Sequence, residues 1–191
     1  MIEEIKDFLT KEECDQIINI SLNEIKSCIG NNDFMKMHPI EIKDENQEIW
    51  KKIRNLISES TNIPLENQEN FLAIRYDKNG SYMEHYDSFV KYLKDSIYTN
   101  QFYEQSMASG GQRKFTALVY LNDNFSGGET NFSKLNKKIK PETGKLVYWN
   151  NLDENGDTNL NMIHAGMPVL DGQKWVLVVY IREKKYENKC Q

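Results

Sequence analysis

The chain has 191 residues, 39% hydrophobic and 28% charged, with a formal net charge of −5 and three cysteines. That length suits one ordinary domain with its own core, and the negative balance argues against a phosphate-neutralising, nucleic-acid-binding surface. Cys14, Cys28 and Cys190 are odd in number, widely spaced and form no CxxC, so a disulfide framework or a cysteine zinc site is not expected.

The acidic start, Met1 to Asp7, lacks the positive and apolar regions of a signal peptide. The longest apolar run, Val176 to Ile181, is far short of a membrane span. The expectation is a cytoplasmic protein with no membrane partner.

In chain order, Phe8 to Glu13 reads as a helix start. Thr10 is a good N-cap, Glu13 stands three residues on, and Leu9 can staple against Cys14. Cys14, Ile17, Ile18, Leu22 and Ile25 then mark one apolar face, and Gly30-Asn31-Asn32-Asp33 stops the helix. A second helix is expected from about Glu45 to Ser60, with Ile49, Ile53, Leu56 and Ile57 inward and Pro64 beyond its end.

From Glu69 the pattern changes to strands. Phe71 to Tyr76 reads as a buried strand, Asp77-Lys78-Asn79-Gly80 as a turn, and Tyr82 to Tyr86 as the returning strand. Ser88 to Gly111 has no clean period and reads as a long loop with some helix. Further strands are expected over Lys114–Leu121, from Gly127-Gly128 through Phe132, over Lys145–Trp149, Met162–Ala165 and Trp175–Arg182. Lys134, Lys137, Lys138 and Lys140 read as a solvated strand edge or loop rather than a binding patch. Many short strands with regular turns suggest a mainly β fold of the jelly-roll kind, with packing helices in front. The expected layout is a helical support over residues 1–68, a β core over 69–185 and a polar tail over 186–191, all one domain.

Chemistry centres on the few histidines. His85-Tyr86-Asp87 is an HxD, and residues two apart on a strand share a face. An imidazole and a carboxylate there, joined by a second imidazole from a distant strand, form the facial triad of non-haem iron(II) oxygenases. HxD alone is weak, and a lone His such as His38 or His164 is usually structural. Lys174, ten positions after His164, opens the apolar strand Trp175–Tyr180, where a lysine is costly unless a counter-charge meets it.

Several segments in order complete the pattern: Phe8–Cys14, Ile74-Arg75-Tyr76, His85-Tyr86-Asp87, Arg113–Asn122, Gly127–Phe132, Pro141–Gly144, His164–Val169 and Gly172–Trp175. Together these resemble the collagen-type catalytic subunits of the prolyl 4-hydroxylase family of iron(II)- and 2-oxoglutarate-dependent dioxygenases, over nearly the whole chain. The resemblance implies a double-stranded β-helix, with His85, Asp87 and His164 as metal ligands and catalytic centre. It implies that Lys174 binds the distal carboxylate of 2-oxoglutarate, with Tyr76, Tyr120 and Thr130 also lining the cosubstrate pocket. It implies consumption of dioxygen, ascorbate as reductant, and a proline-containing peptide or protein as substrate. Tyr82, Tyr86, Tyr92, Tyr98, Phe102 and Tyr103 give the aromatic surroundings that suit such a peptide. Two regions depart from the family pattern, Phe34 to His38 and the loop Ser88–Gln112, and both bear on substrate grip. The alternatives are the same chemistry on a free amino acid, a lysyl residue or a nucleobase, a non-catalytic β module, and a zinc hydrolase.

Overall fold

The computed structural model describes residues 1–24, 37–42, 47–90 and 97–187, apart from the side chains of 97–100. Among the described residues there are three α-helices: α1 (Lys11–Glu24), α2 (Glu48–Thr61) and α3 (Ile97–Ala108). Twelve strands follow one another as β1 (Ile2–Ile5), β2 (His38–Glu41), β3 (Leu72–Tyr76), β4 (Tyr82–His85), β5 (Arg113–Tyr120), β6 (Ser126–Gly127), β7 (Thr130–Phe132), β8 (Lys137–Ile139), β9 (Leu146–Asn150), β10 (His164–Gly166), β11 (Val169–Asp171) and β12 (Lys174–Arg182). The major sheet runs β1-β9-β5-β12-β3-β2 and the minor sheet β4-β10-β7-β8, with β11-β6 as a separate ribbon. Every pairing is antiparallel.

The first helix starts as its sequence indicates. Glu13 N–H donates to Thr10 Oγ1 at 3.3 Å, and Thr10 N–H donates back to Glu13 Oε2 at 3.0 Å. This reciprocal box satisfies two backbone donors that the first helical turn leaves open. Leu9 and Cys14 are both buried beside it, and Glu13 also pairs with Lys52 of α2. Thr10→Ala is expected to cost about 1 kcal/mol of stability, read from the midpoint of urea unfolding.

The major sheet separates two cores. On its outer face, Ala73, Phe115, Ala117, Val119, Leu146, Trp175, Leu177, Val179 and Ile181 pack with Cys14 and Ile17 of α1 and with Ile49, Trp50, Ile53 and Ile57 of α2. On its inner face, Ile74, Tyr76, Tyr120, Val147, Trp149, Val176 and Val178 meet Phe132, Ile139, Met162 and Val169. The strict alternation within β12 and β5 is the two-residue period of a strand covered on both faces.

Several elements differ from the sequence expectation. The turn at Asp77–Gly80 does not close a hairpin: β3 lies in the major sheet and β4 in the minor one. It carries the chain between sheets, with Asn79 in the left-handed region at φ 65°. The stretch read mainly as loop contains the twelve-residue α3. Trp50, absent from the expected inward face of α2, is fully buried against Phe71 with ring centroids 5.2 Å apart, while Leu56 is only half-buried. Lys137 lies on β8, the outer strand of the minor sheet, as the edge reading has it, and pairs with Glu4 at 3.1 Å. Ile25, Cys28, Gly30–Asp33, Phe34–Lys36, Glu45, Tyr92, Lys189 and Cys190 lie outside the described residues. Among the described residues no helix is long and apolar enough to cross a membrane.

Candidate metal and cosubstrate site

The two sheets face each other across a cavity of about 400 Å³, counting the space out to its mouth. Strand period determines what enters it. On β12 the residues that share a face with Val176 and Val178 are Lys174 and Tyr180; on β5 they are Thr116, Leu118 and Tyr120. The minor sheet supplies Tyr82, His85, Thr130, His164 and Gly166.

His85 and His164 are directly opposed residues of β4 and β10, with ring centroids 4.4 Å apart. Strand β4 ends at His85, so Asp87 reaches the cluster from the bend that follows rather than from the strand itself. His85 Nε2 lies 3.3 Å from Asp87 Oδ1, and His164 Nε2 lies 3.5 Å from Asp87 Oδ2. One ligand atom from each of the three falls within 4.8 Å of the others.

The other ring nitrogens are engaged. His85 Nδ1 is 2.7 Å from Met83 O, and His164 Nδ1 is 2.9 Å from Met162 O. A carbonyl only accepts, so each Nδ1 carries the hydrogen, and in the neutral ring Nε2 keeps its lone pair for the cluster centre. Burial pushes the His164 imidazole below its ordinary value, toward the neutral form a metal needs. Burial pushes His85 the same way, but the adjoining Asp87 carboxylate outweighs it and raises the ring. Burial would raise Asp87, yet His164, His85 and the Thr116 hydroxyl hold it below the usual carboxylate range. The set can therefore hold one divalent ion with a charged oxygen and two nitrogens.

Lys174 sits at the other side of the same cavity, 1% exposed. Its Nζ donates to Gly128 O at 2.7 Å and lies 4.8 Å from the Tyr76 ring centroid and 5.5 Å from that of Tyr120. Among the described residues no carboxylate pairs with it, and burial pulls its ammonium from 10.5 to about 7. Gly128 makes the room: at φ 69° a Cβ there would stand 2.8 Å from Phe125 and 3.1 Å from Lys174 Cδ. Tyr120 OH and Thr130 Oγ1 are 2.6 Å apart, and Tyr76 is buried beside them. A buried, unmatched cation with hydroxyls around it suits an anionic guest.

Of the remaining residues singled out by sequence, Tyr82 stacks on His85 at 3.8 Å and Tyr86 OH donates to Leu160 O at 3.4 Å. Phe102 packs edge-on to Phe89, and Tyr103 lines a neighbouring groove. The Tyr98 side chain lies outside the described residues. His38 is apart from the cluster, 3.0 Å from Asp77. Sequence reading missed Thr116, Asn151 and Tyr180. The parity of β5, which puts Thr116 on the face of Tyr120, was the available signal for the first.

Two facing antiparallel sheets that enclose two imidazoles and a carboxylate define a jelly-roll protein of the non-haem metal class. A family model described as the 2OG-Fe(II) oxygenase superfamily matches residues 71–182, and the chain belongs to that superfamily. A protein of Acanthamoeba polyphaga mimivirus, named provisionally as a prolyl 4-hydroxylase, is 38% identical over 143 residues, covering 74% of this chain and 56% of that protein. Prolyl 4-hydroxylase 13 of Arabidopsis thaliana is 25% identical over 199 residues, covering 96% of this chain and 71% of that protein. The chain thus spans little more than half the length of the mimivirus protein. The solved viral collagen prolyl hydroxylase of Paramecium Bursaria Chlorella virus-1, in its 2-oxoglutarate complex, superposes with a TM-score of 0.75 at 27% identity, over 95% of both chains.

Proposed function

We propose that the chain is an iron(II)- and 2-oxoglutarate-dependent dioxygenase that hydroxylates peptidyl proline, with His85, Asp87 and His164 as the iron ligands. The observation that carries this reading is the coexistence, in one cavity, of a His-Asp-His cluster and a buried lysine with no carboxylate partner among the described residues. When bound, iron and 2-oxoglutarate supply the oxidising power, with dioxygen consumed and succinate and carbon dioxide released. The chain's own residues bind and orient. His85 and His164 offer fixed Nε2 lone pairs, Asp87 offers charge, and Lys174 meets the distal carboxylate of 2-oxoglutarate. Thr130 lines the same cavity with the Tyr120 hydroxyl 2.6 Å behind it, and Tyr76 flanks the Lys174 ammonium. Val178, Leu118 and Ile74 wall the cavity with apolar surface, which keeps water from the reacting carbon.

The proline reading rests on the names of the relatives and on the surface outside the cavity. A second, open groove is walled by Phe89, Tyr103, Met107 and Leu160 together with the polar Asp153, Asp157 and Glu183. Phe89 lies two residues beyond Asp87, and Ser88 meets Thr158 at 2.9 Å, so this groove adjoins the metal cluster. An open groove that sets Phe89 and Tyr103 beside polar side chains suits a peptide segment better than a free amino acid.

The test is an anaerobic titration with iron(II), with and without 2-oxoglutarate, followed by the visible charge-transfer band of the ternary complex. The band is expected only when both are added and is expected to vanish in His164→Ala. A folded native protein that gives no band would overturn the oxygenase reading. With the band present, a proline-rich peptide should gain the mass of one oxygen atom, whereas turnover of a free amino acid alone would overturn the peptidyl substrate.

A further inference from the structure

Asp87 is held by more than its two histidines. Thr116 Oγ1 donates to Asp87 Oδ2 at 2.7 Å, and Asn151 Nδ2 donates to Thr116 Oγ1 at 2.9 Å. Thr116 and Asn151 are each only 2% exposed. The direction of both bonds is forced. An ionised carboxylate can only accept, so the single hydroxyl hydrogen of Thr116 must point at Asp87; Thr116 can then only accept from Asn151, which turns the amide nitrogen inward. Asn151 is itself pinned, since its N–H donates to Lys114 O at 2.8 Å and its carbonyl accepts from Asn159 N–H at 2.9 Å.

This arrangement treats the two carboxylate oxygens differently. Each oxygen faces one imidazole, Oδ1 at 3.3 Å from His85 Nε2 and Oδ2 at 3.5 Å from His164 Nε2. Oδ2 also takes the short, charge-assisted bond from Thr116, while among the described residues Oδ1 accepts no such bond. We propose that Thr116 and Asn151 are a positioning pair that hold Asp87 so that it ligates the metal through Oδ1 alone. A carboxylate free to turn can chelate through both oxygens and occupy a position that 2-oxoglutarate or dioxygen needs. Held as it is, it leaves three positions open. The pair also links Asp87 to the segment that leads into His164, because Asn151 opens the loop whose Met162 carbonyl orients the His164 ring. Neither residue touches the ion; each acts through Asp87. The inference rests on the iron reading given above.

The test compares native protein with Thr116→Val, Thr116→Ser and Asn151→Ala in the same anaerobic titration. Thr116→Val keeps volume and removes the hydroxyl. Its iron(II) affinity is expected to fall roughly 10- to 100-fold, with the charge-transfer band weakened or shifted at saturating iron because 2-oxoglutarate competes with a chelating carboxylate. Thr116→Ser restores both, and Asn151→Ala shifts both in the direction of Thr116→Val but less. A folded Thr116→Val with native affinity and native band overturns the proposal. Should that variant not fold, Asn151→Ala decides it: an unchanged band and affinity there also overturn it. Absence of the band in native protein would instead mark failure of the iron reading.

Discussion

Lys174→Met is expected to weaken 2-oxoglutarate binding roughly 100- to 4000-fold while making the ligand-free protein more stable. The first effect follows from removing one member of a buried charge pair, worth about 3–5 kcal/mol. The second follows because, without the dicarboxylate, the fully buried ammonium is left with Gly128 O, two aromatic faces and the Glu129 carboxylate, whose attraction does not offset the burial. Methionine fills nearly the same space with no charge, so a gain of about 1–4 kcal/mol is expected, read as a higher Tm in ligand-free protein. The two readouts moving in opposite directions set this apart from simple misfolding. The pH dependence has a definite sign. Burial places the folded-state lysine at about 7 against an ordinary 10.5, so between those values the unfolded chain binds more protons and ligand-free stability rises with pH. That rise should be absent in Lys174→Met. Binding a carboxylate requires the charged form, so 2-oxoglutarate affinity should fall by up to about tenfold per pH unit above pH 7. Calorimetry in buffers of different ionisation heat should record proton uptake.

Glu69→Ala should be the most destabilising single change outside the hydrophobic cores. Glu69 is buried and receives a two-point bond from Arg113, with Nε at 2.7 Å and Nη2 at 2.8 Å, while Arg182 Nε stands 2.6 Å from the same carboxylate. Its removal leaves two guanidinium groups facing each other without the carboxylate that both of them meet. The expected cost is about 3–5 kcal/mol, or a fall in Tm of roughly 6 to 20 °C for a domain of this size. Arg113 stacks on Tyr180 at 3.6 Å, and both Arg113 and Arg182 lie over Phe89. The loss should therefore also loosen the wall between cavity and groove. A Tm within 2 °C of native would show that the cluster contributes nothing net.

Much of the site was legible because its residues carry chemistry that apolar strands do not otherwise need. His85, Asp87 and His164 share one cluster, and Lys174, Tyr76 and Thr130 line the same cavity, with Tyr120 hydrogen-bonded to Thr130. The long strands β5 and β12 and the box at Thr10 were equally plain, since period and capping are local properties. What escaped has a physical reason. Strands β1, β2 and β11 are three or four residues long, too short for any period to show, and owe their conformation to the neighbour they pair with. Asp77–Gly80 has hairpin chemistry, but where β3 and β4 go after the turn depends on burial on both sheets, which no dipeptide encodes. Thr116 and Asn151 look like ordinary strand and loop residues until the fold brings them to Asp87 from 29 positions away and, through Thr116, from 35. Glu69, Arg113 and Arg182 are likewise joined only by tertiary structure.

The direct opposition of His85 and His164 across β4 and β10 bears on which insertions and deletions this chain can survive. In a strand, a slip by one residue exchanges the two faces. One residue added to β4 would turn His85 out of the cavity and leave Glu84 or Tyr86 in its place, with the backbone ladder intact. Lengthening the exposed turn at Lys78-Asn79 instead leaves that pairing alone. A length-variant library should accordingly contain folded, metal-free proteins when the change falls within β4, and metal-competent ones when it falls in the turn a few residues earlier.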